Sequence, residues 1–355
     1  MKLYALIMAG GSGTRFWPES TEKKPKQYLT LFGDHSLLNN TLRRFENIAP
    51  KDLRFIVTIQ KQLALAEKES KGLVKNHESL ILEPSARNTA PCILLAMANL
   101  ESQGMLDNDV VVIVPSDHII LNTKGFEKTV QSATKIASSH DKIVTIGITP
   151  HFPHTGFGYI EKGSMIDSEA FTVDKFKEKP PFELAKEYVS SGKFLWNAGM
   201  FVARLGILKR EFQNHAPDLF KHYDALKNSL QDDKKLKSLY ELLAKDSIDY
   251  AVMEKSQHVY VVPAQFDWND LGSWDALGSV LDETDNNVVG RDNGHFFYNA
   301  TDNIVFAPDH FVSLLHVKDL IVVVNDRAVM VLPKEEAQDV KKVVEYLKSN
   351  KPELL

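Results

Sequence analysis

The chain has a single cysteine among its 355 residues, Cys92, so no intrachain disulfide can form. The apolar stretch 93–100 beside it marks Cys92 as a small buried hydrophobe. This usage fits a reducing compartment, and a cytoplasmic protein is expected. Long hydrophobic runs are also missing, since none approaches the ~20 apolar residues of a membrane helix. The N-terminus, MKLYALIMAGG, mimics a short secretory signal, but cleavage after Ala9 would destroy a glycine-rich loop, so 3–9 reads as a buried strand. Nor is there an excess of positive charge: the net charge of −5 leaves nothing to neutralise a nucleic acid backbone or an anionic membrane, and any phosphate site must be local. Low-complexity segments and solenoid-length repeats are absent. His151 and His154 are the closest histidine spacing, yet no cysteine or acidic cluster joins them, so no zinc is expected.

What remains is an ordinary globular composition, 43% hydrophobic and 25% charged. A chain of this length outgrows one simple core, which predicts a large domain with a smaller appendage. Runs of Val, Ile and Leu at 3–8, 53–59, 79–82, 110–114 and 143–148 read as parallel strands buried on both faces. Between them 37–47, 62–74, 90–101 and 126–138 have helical period, and strand alternating with helix predicts a doubly wound α/β domain. Further on, a strand is expected near 171–178, a helix near 182–190, a polar helical region at 217–245 and a closing strand at 259–263. From about 286 short strands crowd together at 303–306, 311–316, 320–324 and 328–332, followed by a helix at 334–348. Turns of a β-helix would give this texture, though the spacing is irregular. The division expected is 1–284 and 285–355.

The first strand runs into MAGGSGTRFWPESTEKKPKQ, where Gly10, Gly11 and Gly13 let backbone amides approach an anion. No third glycine follows at dinucleotide spacing, and no Gly-Lys-Ser/Thr follows, so neither the dinucleotide fingerprint nor a P-loop fits. Arg15 and Lys26 add two fixed cations, a combination suited to a polyphosphate. Asp117 follows the strand at 110–114, at the carboxyl end where open α/β sheets bind ligands. In 176–180, Phe-Lys-Glu-Lys-Pro, strand alternation sends Glu178 and Lys179 to opposite sides unless the prolines twist the chain. Asn88 and Thr89 are natural N-terminal residues for the helix that follows them.

The pattern G-G-x-G-T-R, then Pro18 and Pro25-Lys26, resembles the signature of the sugar-phosphate nucleotidyltransferases. Motifs in matching order extend the resemblance over nearly the whole chain: E-P-S-A-R-N-T-A-P from Glu83, P-S-D-H from Pro115, F-G-Y-I from Phe157, F-K-E-K-P from Phe176, W-N-A-G-M-F from Trp196 and W-N-D-L-G-S-W from Trp268. Within the family they are most similar to members that join GTP to mannose 1-phosphate. The resemblance implies a Rossmann-like doubly wound mixed sheet of the nucleotide-diphospho-sugar transferase type, with a small β-rich, β-helical C-terminal domain. Arg15 and Lys26 would be catalytic. Ala9, Gly10, Gly11, Ser12, Gly13, Thr14, Glu83, Arg87, Asn88, Thr89 and Ser116 would bind the nucleotide, Glu83 accepting the adjacent ring N–H and amino group of guanine. Gly158, Tyr159, Glu178, Lys179 and Asn197 would hold the sugar phosphate. Mg²⁺ is implied on Asp117 and Asp270, with neighbouring Asp267 an alternative. A homodimer through the β-rich domain is expected, and a single activity, because the tail lacks the clustered His/Glu of the cupin isomerase domain that some relatives carry. A thymidylyl- or uridylyltransferase acting on glucose 1-phosphate, or a non-catalytic sensor of sugar nucleotides, stays open as an alternative.

Overall fold

The structure, a computed structural model, describes residues 1–11, 13–167, 169–281, 283–284 and 286–355. Its larger part is built on a nine-stranded mixed sheet: β1 (Leu3–Met8), β2 (Arg54–Ile59), β3 (Leu80–Glu83), β4 (Val110–Pro115), β5 (Ile143–Ile148), β6 (Tyr159–Ile166), β7 (Ala170–Lys177), β8 (Phe194–Arg204) and β9 (Val259–Pro263), ordered β3-β2-β1-β4-β8-β5-β9-β7-β6. The apolar runs of β1, β4 and β5 are buried almost throughout, as strands covered on both faces must be. Helices α1 (Leu37–Arg43), α2 (Leu63–Ser70), α3 (Thr89–Ser102) and α4 (Thr123–Ser139) supply the cover. α4 buries one stripe, Phe126, Val130, Ala133, Ile136 and Ala137, at helical spacing. α3 is buried on nearly every side because a second helical layer, including Tyr223–Lys227, packs over it.

β1 pairs in parallel with both β2 and β4, and the direction of winding reverses between β1 and β4. Met8 lies opposite Pro115, so the loops after β1 and β4 emerge side by side in the crevice where such sheets bind ligands. The sequence pattern missed β6 and β8. β8 runs antiparallel between β4 and β5, and its apolar run is broken by Asn197 and Gly199; the register shifts there, and Gly199 takes φ +63°. The region 217–245, expected as helical, divides into three short helices, Pro217–Phe220, Tyr223–Lys227 and Asp233–Tyr240.

The remaining strands, β10 (Glu283–Thr284), β11 (Asn287–Asp292), β12 (His295–Tyr298), β13 (Ile304–Ala307), β14 (Val312–Leu315), β15 (Leu320–Val324) and β16 (Val329–Pro333), form the β-rich part. β11, β13 and β15 stack in parallel, and so do β12 and β14. Val288 pairs with Ile304 and Ile304 with Ile321, and His295 pairs with Val312, so successive coils are offset by 16 or 17 residues. Asn286, Asp302 and Asp319 mark the same corner of successive coils with positive φ, which Asn and Asp tolerate best after Gly. Stacked beside that corner, Asn303 Nδ2 donates to Asn287 Oδ1 at 2.8 Å. The helix Val340–Asn350 lays Val340, Val344 and Leu347 into a core shared with Phe16, Trp17 and Trp274 of the larger part. Among the described residues no helix is long and apolar enough to cross a membrane.

Candidate active site

Gln27 Nε2 donates to the carbonyls of Ala9 and Gly11, both at 3.0 Å, and Ser20 Oγ to that of Gly13 at 2.6 Å. These bonds tie the carbonyl edge of the loop to the protein body. Gly13 sits at φ +59°, and a Cβ there would fall 2.1 Å from Lys26 Cβ, so only glycine lets Lys26 pass this close. Ser12 lies outside the described residues. Lys26 is 6% exposed; its ammonium donates to Asp117 Oδ2 at 2.9 Å and to the Asp270 carbonyl at 2.7 Å. Arg15 Nη1 reaches the Gly272 carbonyl at 3.3 Å. Gly13, Thr14, Arg15, Lys26, Asp117 and Asp270 line one cavity of about 330 Å³.

Burial pushes the Asp117 carboxyl up, but Lys26 and His118 outweigh it and hold the group below the usual carboxylate range. Asp270 is raised: burial dominates, Lys26 opposes it and Asp117 adds to it. Two carboxylates with this mutual repulsion on one cavity wall fit a hard divalent cation, which takes oxygen ligands and completes its shell with water and phosphate. Among the described residues no group of three or more His, Cys, Asp and Glu side chains assembles around a metal position. Asp267 does not line this cavity. Its oxygens accept the backbone amides of Leu121 and Asn122, at 2.8 and 2.6 Å. The Asp270 loop is held by Trp274, fully buried against Phe16 at 5.0 Å between ring centroids, whose Nε1 donates to the Trp17 carbonyl.

Among the residues expected to hold the sugar phosphate, the twist left open by the sequence is present: Lys179 takes φ +47°, which turns its side chain back so that Nζ pairs with Glu178 Oε1. Glu178 is 7% exposed, its Oε2 has no hydrogen-bond partner among the described residues, and a Cβ at Gly158 would meet that oxygen at 2.4 Å. Asn197, whose backbone N–H donates to the Gly158 carbonyl, faces the same place. Tyr159 is expected there through its backbone; its side-chain hydroxyl bonds the backbone of His154, beside the Phe157 and Trp196 rings.

The third group of residues runs beneath the loop. Glu83 is buried behind Gly10, whose Cβ would lie 3.2 Å from Oε2, and its Oε1 accepts the Tyr240 hydroxyl at 2.5 Å. Burial raises the pKa of this carboxyl, opposed by the bonds from Tyr240 and Cys92. Arg87 Nη1 donates to the Leu243 carbonyl, while its buried Nε has no partner among the described residues. Asn88 caps α3 from φ +69°, accepting the Thr89 amide, and Thr89 Oγ1 accepts the Ile248 amide. Ser116 is buried, with its amide on the Met8 carbonyl and its own carbonyl accepting Thr41 Oγ1.

Three neighbours went unread in the sequence. Lys341, on the terminal helix, lines the Lys26 cavity, and one turn earlier Gln338 donates to Ser273 of the Asp270 loop at 2.8 Å. His118 is half-buried beside Asp117; desolvation lowers its pKa to about 4, and its Nδ1 accepts Trp268 Nε1. Asp249 opens a short π-type turn, Asp249–Met253, and accepts Asn197 Nδ2 at 2.8 Å. Nothing local in the sequence marks Lys341 or Asp249: Gln338, beside Lys341, meets Ser273 across 65 residues, and Asp249 meets Asn197 across 52.

A cation-lined glycine loop facing two carboxylates at the carboxyl ends of β1 and β4 defines the class: residues 4–287 match the nucleotidyl transferase family model, and the chain belongs to that family. Residues 295–347 match the MannoseP isomerase/GMP-like β-helix domain. A mannose-1-phosphate guanylyltransferase of Salmonella muenchen is 38% identical over 98% of this chain and 74% of its own length. One from Escherichia coli (strain K12) is 36% identical over the same shares. The solved structure of a Thermus thermophilus protein described as a mannose-1-phosphate geranyltransferase superposes with a TM-score of 0.89 at 33% identity, covering 98% of this chain and 100% of that one.

Proposed function

We propose that this protein transfers a guanylyl group from GTP to α-D-mannose 1-phosphate, yielding GDP-mannose and pyrophosphate. The carrying observation is the single cavity that joins Gly13, Arg15 and Lys26 to Asp117 and Asp270. The sugar phosphate is largely dianionic near neutral pH, its second pKa being about 6, so it attacks the α-phosphorus without a general base. The protein's task is in-line positioning and neutralisation of the charge that moves to the leaving pyrophosphate. Arg15 and Lys26 serve that charge, Lys179 orients the sugar phosphate, and Glu178 and Asn197 hold sugar hydroxyls. Mg²⁺ held by Asp117 and Asp270 would supply further charge neutralisation on the phosphate oxygens. Guanine choice is assigned to Glu83: Tyr240 occupies one lone pair of Oε1, and the other acceptor sites of the carboxylate suit the adjacent guanine donors.

The reading includes a homodimer through the β-rich part, where Phe296, Tyr298 and Leu315 are exposed together on β12 and β14. Light scattering that gives the mass of one chain at working concentration refutes the dimer. A panel of GTP, UTP, dTTP and ATP against mannose 1-phosphate and glucose 1-phosphate, scored by pyrophosphate release, tests the activity. Preferred turnover of any pair other than GTP with mannose 1-phosphate overturns it.

A further inference from the structure

Asp249 has no role in the reaction as described, yet it bonds Asn197 and interacts electrostatically with Glu178, two of the residues assigned to the sugar. Its Oδ1 accepts Asn197 Nδ2 at 2.8 Å. The carbonyl end of Asn197 is fixed in turn by Thr145 Oγ1 at 3.3 Å and the Gly199 amide at 3.1 Å, so the amide end is turned to Asp249, which takes one of its two N–H groups. The turn that begins at Asp249 also holds the Glu178 strand end, because Glu254, just after it, accepts the Glu178 amide at 2.8 Å. π-type turns are frequent at functional sites.

The electrostatics are unfavourable for a purely structural residue. Glu178 and Asp249 repel each other, and the charge of Lys179 acts on both. Glu178 Oε2 is buried with no donor among the described residues. A carboxylate oxygen so placed carries a desolvation cost until some donor arrives. A hexose brings several hydroxyls on adjacent carbons, each able to donate to one carboxylate while accepting from an ammonium or an amide.

We propose that Asp249 is a second hexose acceptor that works with Glu178, the two carboxylates gripping different hydroxyls of the sugar phosphate, with Asn197 fixing the angle of Asp249. The proposal rests on the assignment of Glu178 to the sugar.

The test is steady-state kinetics of purified full-length Asp249→Asn and Glu178→Ala with mannose 1-phosphate and GTP. Asparagine at 249 keeps an oxygen for Asn197 and removes the charge. Asp249→Asn should raise KM for mannose 1-phosphate at least tenfold, change kcat less than threefold and leave KM for GTP within twofold. Deoxy analogues of mannose 1-phosphate give a second readout: one missing hydroxyl should cost the wild type several-fold in kcat/KM and cost Asp249→Asn almost nothing, and a different hydroxyl should behave so for Glu178→Ala. If Glu178→Ala shifts KM for the sugar phosphate and Asp249→Asn does not, Asp249 is not an acceptor. If neither shifts it, the sugar-site assignment itself fails. Equal losses for both substrates with Asp249→Asn assign it a structural role and overturn the proposal.

Discussion

The contact between Gly13 and Lys26 ties a backbone requirement directly to turnover, and Gly13→Ala tests it. The new methyl group would stand 2.1 Å from Lys26 Cβ and 3.0 Å from its backbone nitrogen. Relaxed carbon contacts lie near 3.5–4.0 Å, so Lys26 must withdraw by more than about 1 Å. It cannot do so freely, because its ammonium is held by Asp117 at 2.9 Å and by the Asp270 carbonyl at 2.7 Å. Alanine at φ +59° adds roughly 1–2 kcal/mol of backbone cost. A displacement of ~1 Å in a positioning group lowers rate on the order of 100-fold. The expected result is therefore a fall in kcat of about that size, measured by pyrophosphate release with both substrates saturating, and a stability loss of a few kcal/mol in urea. Gly33→Ala is the control: it has φ +57° and nothing within 4 Å of the added carbon, so it carries the backbone cost without touching Lys26. Turnover of Gly13→Ala within tenfold of wild type, or an equal loss in Gly33→Ala, would refute the reasoning.

Lys26→Ala and Asp117→Asn should each cut turnover by two or more orders of magnitude, in line with loss of a charge-stabilising contact, with circular dichroism unchanged; near-normal activity in either contradicts the assigned roles. Asp249 has a raised pKa of about 6, from burial first and Glu178 second. The folded state therefore binds this proton more tightly than the unfolded one, and the stability so gained is present below about pH 4 and lost as pH rises through 6. Asp249→Asn should accordingly be more stable than wild type at pH 8 by up to about 3 kcal/mol, with the gain vanishing near pH 4; urea midpoints at the two pH values read this directly. Trp274→Ala should cost about 3–5 kcal/mol, since the ring is fully buried between Phe16 and Phe306, and a urea midpoint close to wild type would contradict that packing.

Much of this was legible locally. The strands of the parallel core follow from continuous apolar runs, and three glycines and two cations mark the loop after β1 as a candidate phosphate loop. Asp117 could be placed at a carboxyl strand end by position alone. The β-helix was harder to read because its coils are set by corner residues, Asn286, Asp302 and Asp319, at offsets of 16 and 17 that short apolar runs do not reveal. β8 hid because Asn197 and Gly199 interrupt its apolar run where the register shifts.

The sequence by itself determined the chemistry available here: a glycine-containing loop, cations suited to phosphate, carboxylates suited to a cation, and alternating elements that bury their apolar faces. These are local properties, decided by neighbours a few positions apart. Tertiary structure decided which of these groups meet. It brought Asp270 to Lys26 across 244 residues, set Asp249 against Asn197, carried Lys341 from the last helix into the cavity and gave Asp267 a backbone role instead. Such pairings depend on how the sheet twists and where its cover packs, and no short-range pattern in the chain encodes that distance.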